Sequence, residues 1–161
     1  MRNEVFEMSK IAVYAGSFDP FTNGHLSIVQ KASKLFDKVY VCVAYNSEKR
    51  RTFDVDKMIS AISSCLINQG LTNCEVVITE GMIADFCKEK GAAYLIRGLR
   101  NTSDYLYEEN IAKINYELNP DLETVYFRAV DETVSSSMVR EFLKYGKSVK
   151  KYVPIEILNC L

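Results

Sequence analysis

The sequence predicts a single doubly wound α/β domain built on a five-stranded parallel sheet. Five short runs are rich in β-branched and aromatic residues, segments with helical spacing of apolar residues separate them, and the short runs are continuously apolar rather than alternating. Continuous apolar runs are typical of parallel strands that helices cover on both faces. The length of 161 residues suits one domain, with residues 1–9 as a polar extension and either Met1 or Met8 compatible with the native start.

The predicted strands are residues 10–16, 39–44, 75–79, 93–96 and 124–129. The first reads KIAVYAG and ends at a glycine, the second reads VYVCVA and the third reads EVVIT. The last two continue the regular alternation of strand and helix. Since the carboxyl ends of parallel strands meet at one edge of a sheet, ligand-binding residues are expected in the loops that follow these strands.

The predicted helices are residues 23–36, 54–67, 82–90, 102–118 and 135–145, and Pro154 can open a last C-terminal helix. The first places apolar side chains from Leu26 to Phe36 on one face. Thr102 or Ser103 is expected to cap the fourth, which has Tyr107 and Ile114 on one face. Helix-stopping residues follow the later helices at Gly70, Gly91, Pro120 and Gly146.

The composition excludes several classes of function. With 20 Lys and Arg against 21 Asp and Glu, the net charge of −1 argues against nucleic acid or an anionic membrane as a partner. The five cysteines form no CxxC pair and there is one histidine, so a zinc site is not expected. The N-terminus lacks the apolar run of a signal peptide. We therefore expect a cytoplasmic protein with buried, reduced thiols.

The loop after the first strand reads GSFDPFTNGH and has the parts of an anion site. Gly16 allows the backbone to approach a ligand closely, and Ser17 adds a hydroxyl group. His25 falls in the first turn of the next helix, where free N–H groups and the positive end of the helix dipole attract anions. A lone histidine near a helix start is commonly just a polar residue, but this context favours a functional one.

This segment resembles the signature of the nucleotidylyltransferase superfamily, whose usual form is HxGH. Thr22 stands in place of the first histidine, as in the phosphopantetheine adenylyltransferase branch of that superfamily. The resemblance implies a Rossmann-like nucleotidylyltransferase fold. It also implies that Ser17 and Phe18 lie beside the phosphates of ATP and of the acceptor, and that His25 stabilises the transition state.

The loop after the second strand carries a local positive run, Lys49-Arg50-Arg51. Such runs are often solvated surface, but the position at the carboxyl end of a strand favours an anion site. By resemblance, Lys49 contacts the phosphate of the acceptor.

The segment LIRGLRNTSDYLYEEN, residues 95–110, is a second match to the family. Two arginines three residues apart can direct guanidinium groups at neighbouring phosphates. The resemblance implies that Arg97 contacts the acceptor and that Glu108 contacts both substrates. ATP contacts are expected at Gly98, Leu99 and Arg100. Asp104 is a plausible helix cap.

A third match, DETVSSSMVRE, spans residues 131–141. Three serines at a helix start offer hydroxyl groups and free N–H groups together, which is more than a helix cap requires. By resemblance the residues that wrap the nucleotide are Asp131, Glu132, Thr133, Val134, Ser135, Ser136 and Ser137. Arg140 is a further source of positive charge. The resemblance places Ile83 against the pantetheine arm, with core packing an equal alternative.

The resemblance implies transfer of the adenylyl group of ATP to 4′-phosphopantetheine, which yields dephospho-coenzyme A and pyrophosphate. Mg²⁺ is expected with ATP, and family analogy implies a homohexamer with coenzyme A as a feedback ligand. One alternative is a sister transferase that uses nicotinate mononucleotide, or glycerol phosphate with CTP. Another is a protein that senses ATP without turnover, although such a sensor does not need His25 as a transition-state donor.

Overall fold

The computed structural model describes residues 9–129 and 134–161, which form a five-stranded sheet and six helices. The strands are β1 (Ile11–Gly16), β2 (Lys38–Ala44), β3 (Cys74–Thr79), β4 (Tyr94–Leu99) and β5 (Glu123–Arg128). The helices are α1 (Asn23–Ser33), α2 (Val55–Asn68), α3 (Ile83–Glu89), α4 (Thr102–Leu118), α5 (Ser136–Lys144) and α6 (Ile155–Leu158).

All four strand pairings are parallel, and the strand order is β3-β2-β1-β4-β5. The chain moves outward from β1 through β2 to β3 and then returns to the other side of β1 with β4. The direction of winding therefore reverses between β1 and β4, and the loops that leave these strands separate there. Doubly wound sheets bind their ligands at this reversal point.

The central strands β2, β1 and β4 contain buried side chains, as the continuous apolar runs predict, whereas the edge strands β3 and β5 are only partly buried. In β1, Ala12 and Tyr14 belong to the hydrophobic cluster that also contains α1 and α2, whereas Val13 and Ala15 belong to the cluster that contains α3. Alternate side chains of one strand thus enter two different cores. The predicted fold class is confirmed.

Two element ends differ from the prediction by three residues, and several others differ by one. Helix α1 ends at Ser33 rather than at residue 36, and the N–H groups of Leu35 and Phe36 turn back to the Ala32 carbonyl. Strand β4 continues to Leu99 rather than ending at residue 96, because β5 pairs with its last three residues.

Helix α4 departs from the prediction at its cap, and its apolar face lies outside the core. Asn101 caps it by accepting a hydrogen bond from the Asp104 N–H, so neither Thr102 nor Ser103 is the cap. Its buried residues are Glu108 and Asn115, whereas Tyr107 and Ile114 are exposed. The apolar spacing therefore marks a solvent-facing surface of the chain rather than core.

The cysteines are free thiols, of which Cys42, Cys65 and Cys87 are buried. Burial raises the pKa of each of these three to about 12, so the reactive thiolate is scarce at neutral pH. Cys74 and Cys160 are partly exposed. No helix among the described residues combines the length and apolar character that crossing a bilayer requires.

Candidate active site

A cavity of about 360 Å³ opens at the carboxyl ends of β1 and β4, where the sheet topology reverses. The predicted site residues that line it are Ser17, Phe18, His25, Arg97, Gly98, Arg100, Glu108, Val134, Ser135, Ser136 and Ser137. The loop after β1, the end of β4, the start of α4 and the start of α5 therefore share one cavity. Asp131, Glu132 and Thr133 lie outside the described residues.

His25 is fixed in a reciprocal cap at the start of α1. The Thr22 hydroxyl accepts a hydrogen bond from the His25 N–H at 3.4 Å, while the Thr22 N–H donates to Nδ1 of the imidazole at 3.0 Å. The threonine that replaces the first histidine of the motif is thus the helix cap. A backbone N–H can only donate, so Nδ1 is an acceptor and the proton of the neutral ring lies on Nε2.

The surroundings of His25 keep its imidazole uncharged. Burial, assisted by the positive charges of Arg100 and Arg97, lowers its pKa to about 4 from the ordinary 6.5. The ring is therefore neutral at physiological pH and can donate one hydrogen bond from Nε2.

This lowered pKa predicts a pH dependence of stability. Between pH 6.5 and 4 the unfolded chain takes up a proton at His25 that the folded chain does not. The contribution of His25 is thus complete above pH 6.5 and is lost as the pH falls toward 4, by an amount on the order of 3 kcal/mol. Urea unfolding across this range should show a loss of stability that is larger in the wild type than in His25→Gln by about this amount. If the unfolding free energies of the two proteins fell in parallel with pH, the lowered pKa of His25 would be contradicted.

The ring of Phe18 packs against the imidazole of His25. It lies edge-on to His25 with a centroid distance of 5.0 Å and also contacts Tyr14 and Phe21. Phe18 has a φ of 45°, a left-handed backbone that a phenylalanine holds only when its surroundings impose it. Gly16 is required here, since a Cβ at that position would lie 2.9 Å from the Phe18 ring.

Gly16→Ala is therefore expected to cost about 1–3 kcal/mol in unfolding free energy, because the buried Phe18 ring must move. The displaced ring should also shift His25 and lower turnover. The matched control is Gly98→Ala, whose Cβ would meet Ile28 at an ordinary 3.5 Å. Chemical denaturation of both variants measures the difference, and equal stability would show that the contact at Gly16 is relieved without cost.

Arg97 and Glu108 form a two-pronged ion pair on the cavity wall. Nε and Nη2 of Arg97 donate to the two carboxylate oxygens at 2.6 and 2.8 Å, and Nη1 donates to the Ala15 carbonyl at 2.8 Å. Burial alone would lower the pKa of Arg97, but its hydrogen bonds with Glu108 raise the pKa overall. The guanidinium stays charged and is held at the end of β1.

Arg100 is held by Asp104, one helical turn further along the chain. The Asp104 carboxylate accepts from the Arg100 backbone N–H and from its guanidinium at 2.9 to 3.2 Å. Hydrogen bonding to the Arg100 side chain lowers the pKa of Asp104. Asp104 therefore orients an arginine and is not the helix cap that the sequence suggests.

The serines at the start of α5 have distinct partners. Ser135 caps the helix by accepting from the Met138 N–H, and the Ser136 hydroxyl donates to the Pro20 carbonyl at 2.7 Å. The Ser137 hydroxyl accepts from Arg140. The Arg140 guanidinium also donates to the Asp19 carbonyl, so it braces the loop after β1.

Three of the predicted contacts do not line this cavity. Leu99 is the last residue of β4, and Lys49 lies on an exposed loop. Ile83 is the first residue of α3 and packs against the hydrophobic cluster that contains Val13 and Ala15 of β1. Packing explains Ile83 without a ligand. Their contacts with substrate stay predictions.

The cavity wall also contains residues without a predicted role. Tyr14 lies on its wall with a phenol whose pKa is raised by burial, and Ile28 and Tyr107 complete the apolar part. Two contacts of the site have a signal in the sequence. The spacing of Thr22 and His25 is that of a reciprocal helix cap, and the i,i+4 spacing of Arg100 and Asp104 is that of an ion pair on a helix. Tyr14 gave no signal, because its strand reads only as core.

A family model described as Cytidylyltransferase-like matches residues 13–142. Phosphopantetheine adenylyltransferase from Cytophaga hutchinsonii is 45% identical over 152 residues, covering 93% of this chain and 100% of that protein. The chain belongs to the phosphopantetheine adenylyltransferase family. A second member, from Streptococcus pneumoniae, is 42% identical over 153 residues and covers 93% of each chain.

Solved structures of more distant nucleotide adenylyltransferases share the fold. One is a Vibrio parahaemolyticus protein assigned as a nicotinate-nucleotide adenylyltransferase, with a TM-score of 0.71, 19% identity and coverage of 96% of this chain and 92% of that one. Another is Plasmodium falciparum nicotinic acid mononucleotide adenylyltransferase, with a TM-score of 0.66, 18% identity and coverage of 93% of each chain. At these identities the likeness concerns the fold alone, and the sequence places the chain with the phosphopantetheine adenylyltransferases.

Proposed function

We propose that this chain transfers the adenylyl group of ATP to 4′-phosphopantetheine, yielding dephospho-coenzyme A and pyrophosphate. Family membership supports the reaction. The observation that carries the residue assignment is the convergence of a neutral imidazole with two oriented arginines in one cavity, at the N-terminus of α1. This arrangement suits two phosphate-bearing substrates.

The reaction needs no nucleophile from the protein. A phosphate oxygen of the acceptor attacks the α-phosphorus of ATP, a new P–O bond forms, and the bond to the bridging oxygen breaks as pyrophosphate leaves. Negative charge builds on the α-phosphoryl oxygens, and the Nε2–H of His25 donates to one of them. Arg97 orients the acceptor phosphate and Arg100 the ATP phosphates, so the protein contributes positioning and charge stabilisation.

Mg²⁺ would arrive as part of the ATP complex rather than in a site on the protein. Among the described residues of the cavity, the carboxylates of Glu108 and Asp104 are both engaged by arginines. No group of three potential metal-ligating side chains occurs in the described parts of the chain. When bound, the ion would neutralise charge on the triphosphate.

The assembly is proposed to be a homohexamer, with coenzyme A as a feedback ligand, in the cytoplasm. The support for assembly is the group of exposed apolar side chains on α4 that do not line the cavity, namely Tyr105, Leu106, Ile114, Tyr116 and Leu118. Clustered exposed apolar side chains are typical of protein–protein contacts. A mass of six chains in light scattering supports the proposal, and a monomer would refute it.

The reaction is tested by offering alternative acceptors to the purified protein with ATP and magnesium. We expect dephospho-coenzyme A and pyrophosphate with 4′-phosphopantetheine, and no product with nicotinate mononucleotide. Glycerol phosphate with CTP serves as a second control. Turnover of another acceptor alone would indicate a sister transferase, and ATP binding without any turnover would indicate a sensor.

A further inference from the structure

Four consecutive backbone carbonyls in the loop after β1 accept hydrogen bonds from side chains. Arg51 donates from Nη1 to the Ser17 carbonyl at 2.6 Å and from Nη2 to the Phe18 carbonyl at 3.2 Å. Arg140 donates to the Asp19 carbonyl at 2.5 Å, and the Ser136 hydroxyl donates to the Pro20 carbonyl at 2.7 Å. The carbonyls of residues 17–20 thus all point toward the side chains of Arg51, Arg140 and Ser136.

The two carbonyls that Arg51 holds fix the direction of two N–H groups. In a planar trans peptide the N–H points opposite to the C=O of the same unit. The N–H groups of Phe18 and Asp19 therefore point away from Arg51, and neither donates to another described residue. Ser17 and Phe18 lie on the cavity wall. Successive backbone N–H groups left free in such a loop form a recognised type of anion site.

Arg51 does not line the cavity, unlike Arg97 and Arg100, and is therefore not placed to contact a substrate there. Its side chain is 12% exposed and lies 3.8 Å from the Asp19 carboxylate, which partly offsets its charge. Nε donates to the Phe53 carbonyl, so three of its nitrogens already have acceptors. The Asp19 carboxylate also accepts from the N–H groups of Thr52 and Phe53. The loops after β1 and β2 are thus locked together through Arg51 and Asp19.

We propose that Arg51 is a positioning residue of the reaction, which directs the Phe18 and Asp19 N–H groups toward the phosphates that bind in the cavity. The proposal rests on the proposed function, since it assumes phosphate-bearing substrates. It assigns a role to Arg51 that differs from that of the neighbouring Lys49. Arg51 acts through the backbone, whereas Lys49 is exposed and free to approach a ligand directly.

The first experiment measures binding of inorganic pyrophosphate by calorimetry in the wild type, Arg51→Ala and Arg51→Lys. The loss of oriented N–H donors should weaken pyrophosphate binding roughly tenfold or more in Arg51→Ala, the equivalent of one charge-assisted hydrogen bond. Arg51→Lys, which can still hold one carbonyl, should fall between the two. Dilute guanidinium chloride should restore part of the binding in Arg51→Ala. The matched control is Lys34→Ala, which removes an exposed positive charge at the far end of α1 and should bind as the wild type does.

Wild-type pyrophosphate affinity in a folded Arg51→Ala variant would overturn the proposal. If that variant does not fold, wild-type protein labelled with ¹⁵N-phenylalanine decides the matter. The Phe18 amide resonance should shift when pyrophosphate is added, and an unchanged resonance would overturn the proposal. Acceptor turnover by the wild type tests the proposed function separately. If the wild type turns over the acceptor and the Arg51 variants bind pyrophosphate as tightly as the wild type does, only the role of Arg51 is refuted. If pyrophosphate binding depends on Arg51 but no acceptor is turned over, only the proposed reaction is refuted.

Discussion

Replacing His25 with alanine is expected to lower kcat by roughly 10²–10³, the typical cost of removing one donor to a developing oxyanion. The KM values of both substrates should change little, because the imidazole is neutral and its Nε2–H acts mainly as charge builds in the transition state. Steady-state kinetics with 4′-phosphopantetheine and ATP measure both quantities.

His25→Gln is the matched control for the helix cap. Glutamine at this position can accept from the Thr22 N–H as the imidazole does, so it retains the reciprocal cap of α1. We expect near-normal stability with a still substantial loss of kcat. Near-normal turnover in His25→Ala would refute the catalytic role, and full recovery in the Gln variant would reduce that role to capping.

Removing the guanidinium of Arg97 should have the largest effect on stability. Arg97→Ala leaves the Glu108 carboxylate buried without its partner, and loss of one member of a buried pair typically costs 3–5 kcal/mol. The KM for the acceptor should also rise, by about 10- to 100-fold if one charge-assisted hydrogen bond to phosphate is lost. Denaturant unfolding and acceptor kinetics measure the two effects separately.

The double variant Arg97→Met with Glu108→Leu separates structure from function. An apolar pair of similar volume removes the unpaired charge, so much of the stability should return. Acceptor binding should stay weak, because no guanidinium remains. An unchanged acceptor KM in either variant would show that Arg97 does not contact the acceptor.

Much of the fold followed from the sequence because its central strands are buried on both faces. The run IAVYAG in β1 has no charged member, and such runs are typical of a parallel sheet that is covered on two sides. The end of β4 was placed too early, since Arg97 and Gly98 have no strand signal of their own. They extend the strand because Tyr126 and Phe127 of β5 pair with them.

The site followed from the sequence at the level of loops, and less so at the level of partners. The motifs around His25, Arg97 and Ser136 were expected at one edge of the sheet, and residues of all three line one cavity. Contacts that join distant segments leave no local pattern. Arg51 lies 34 residues from the Ser17 carbonyl that it holds, and the sequence suggested only that it belonged to a positive run favouring an anion site.

The face of α4 shows why helical periodicity alone cannot assign a surface. Tyr107 and Ile114 share a face of α4 that is exposed, while Glu108 is buried and paired with Arg97. In this orientation of the helix the buried side carries a charge with a two-pronged partner. The apolar side chains that this orientation exposes, apart from Tyr107 on the cavity wall, are those proposed for assembly.

The most direct test of the site is the ¹⁵N spectrum of the imidazole, which is free of overlap because the chain contains one histidine. Solid-state spectra of histidine-labelled protein should show a neutral ring with its proton on Nε2, unchanged as the pH falls through 6.5. Addition of ATP with magnesium should shift the Nε2 resonance as that nitrogen donates to phosphate. A proton on Nδ1, a charged ring near neutral pH, or no response to saturating ATP would contradict the account.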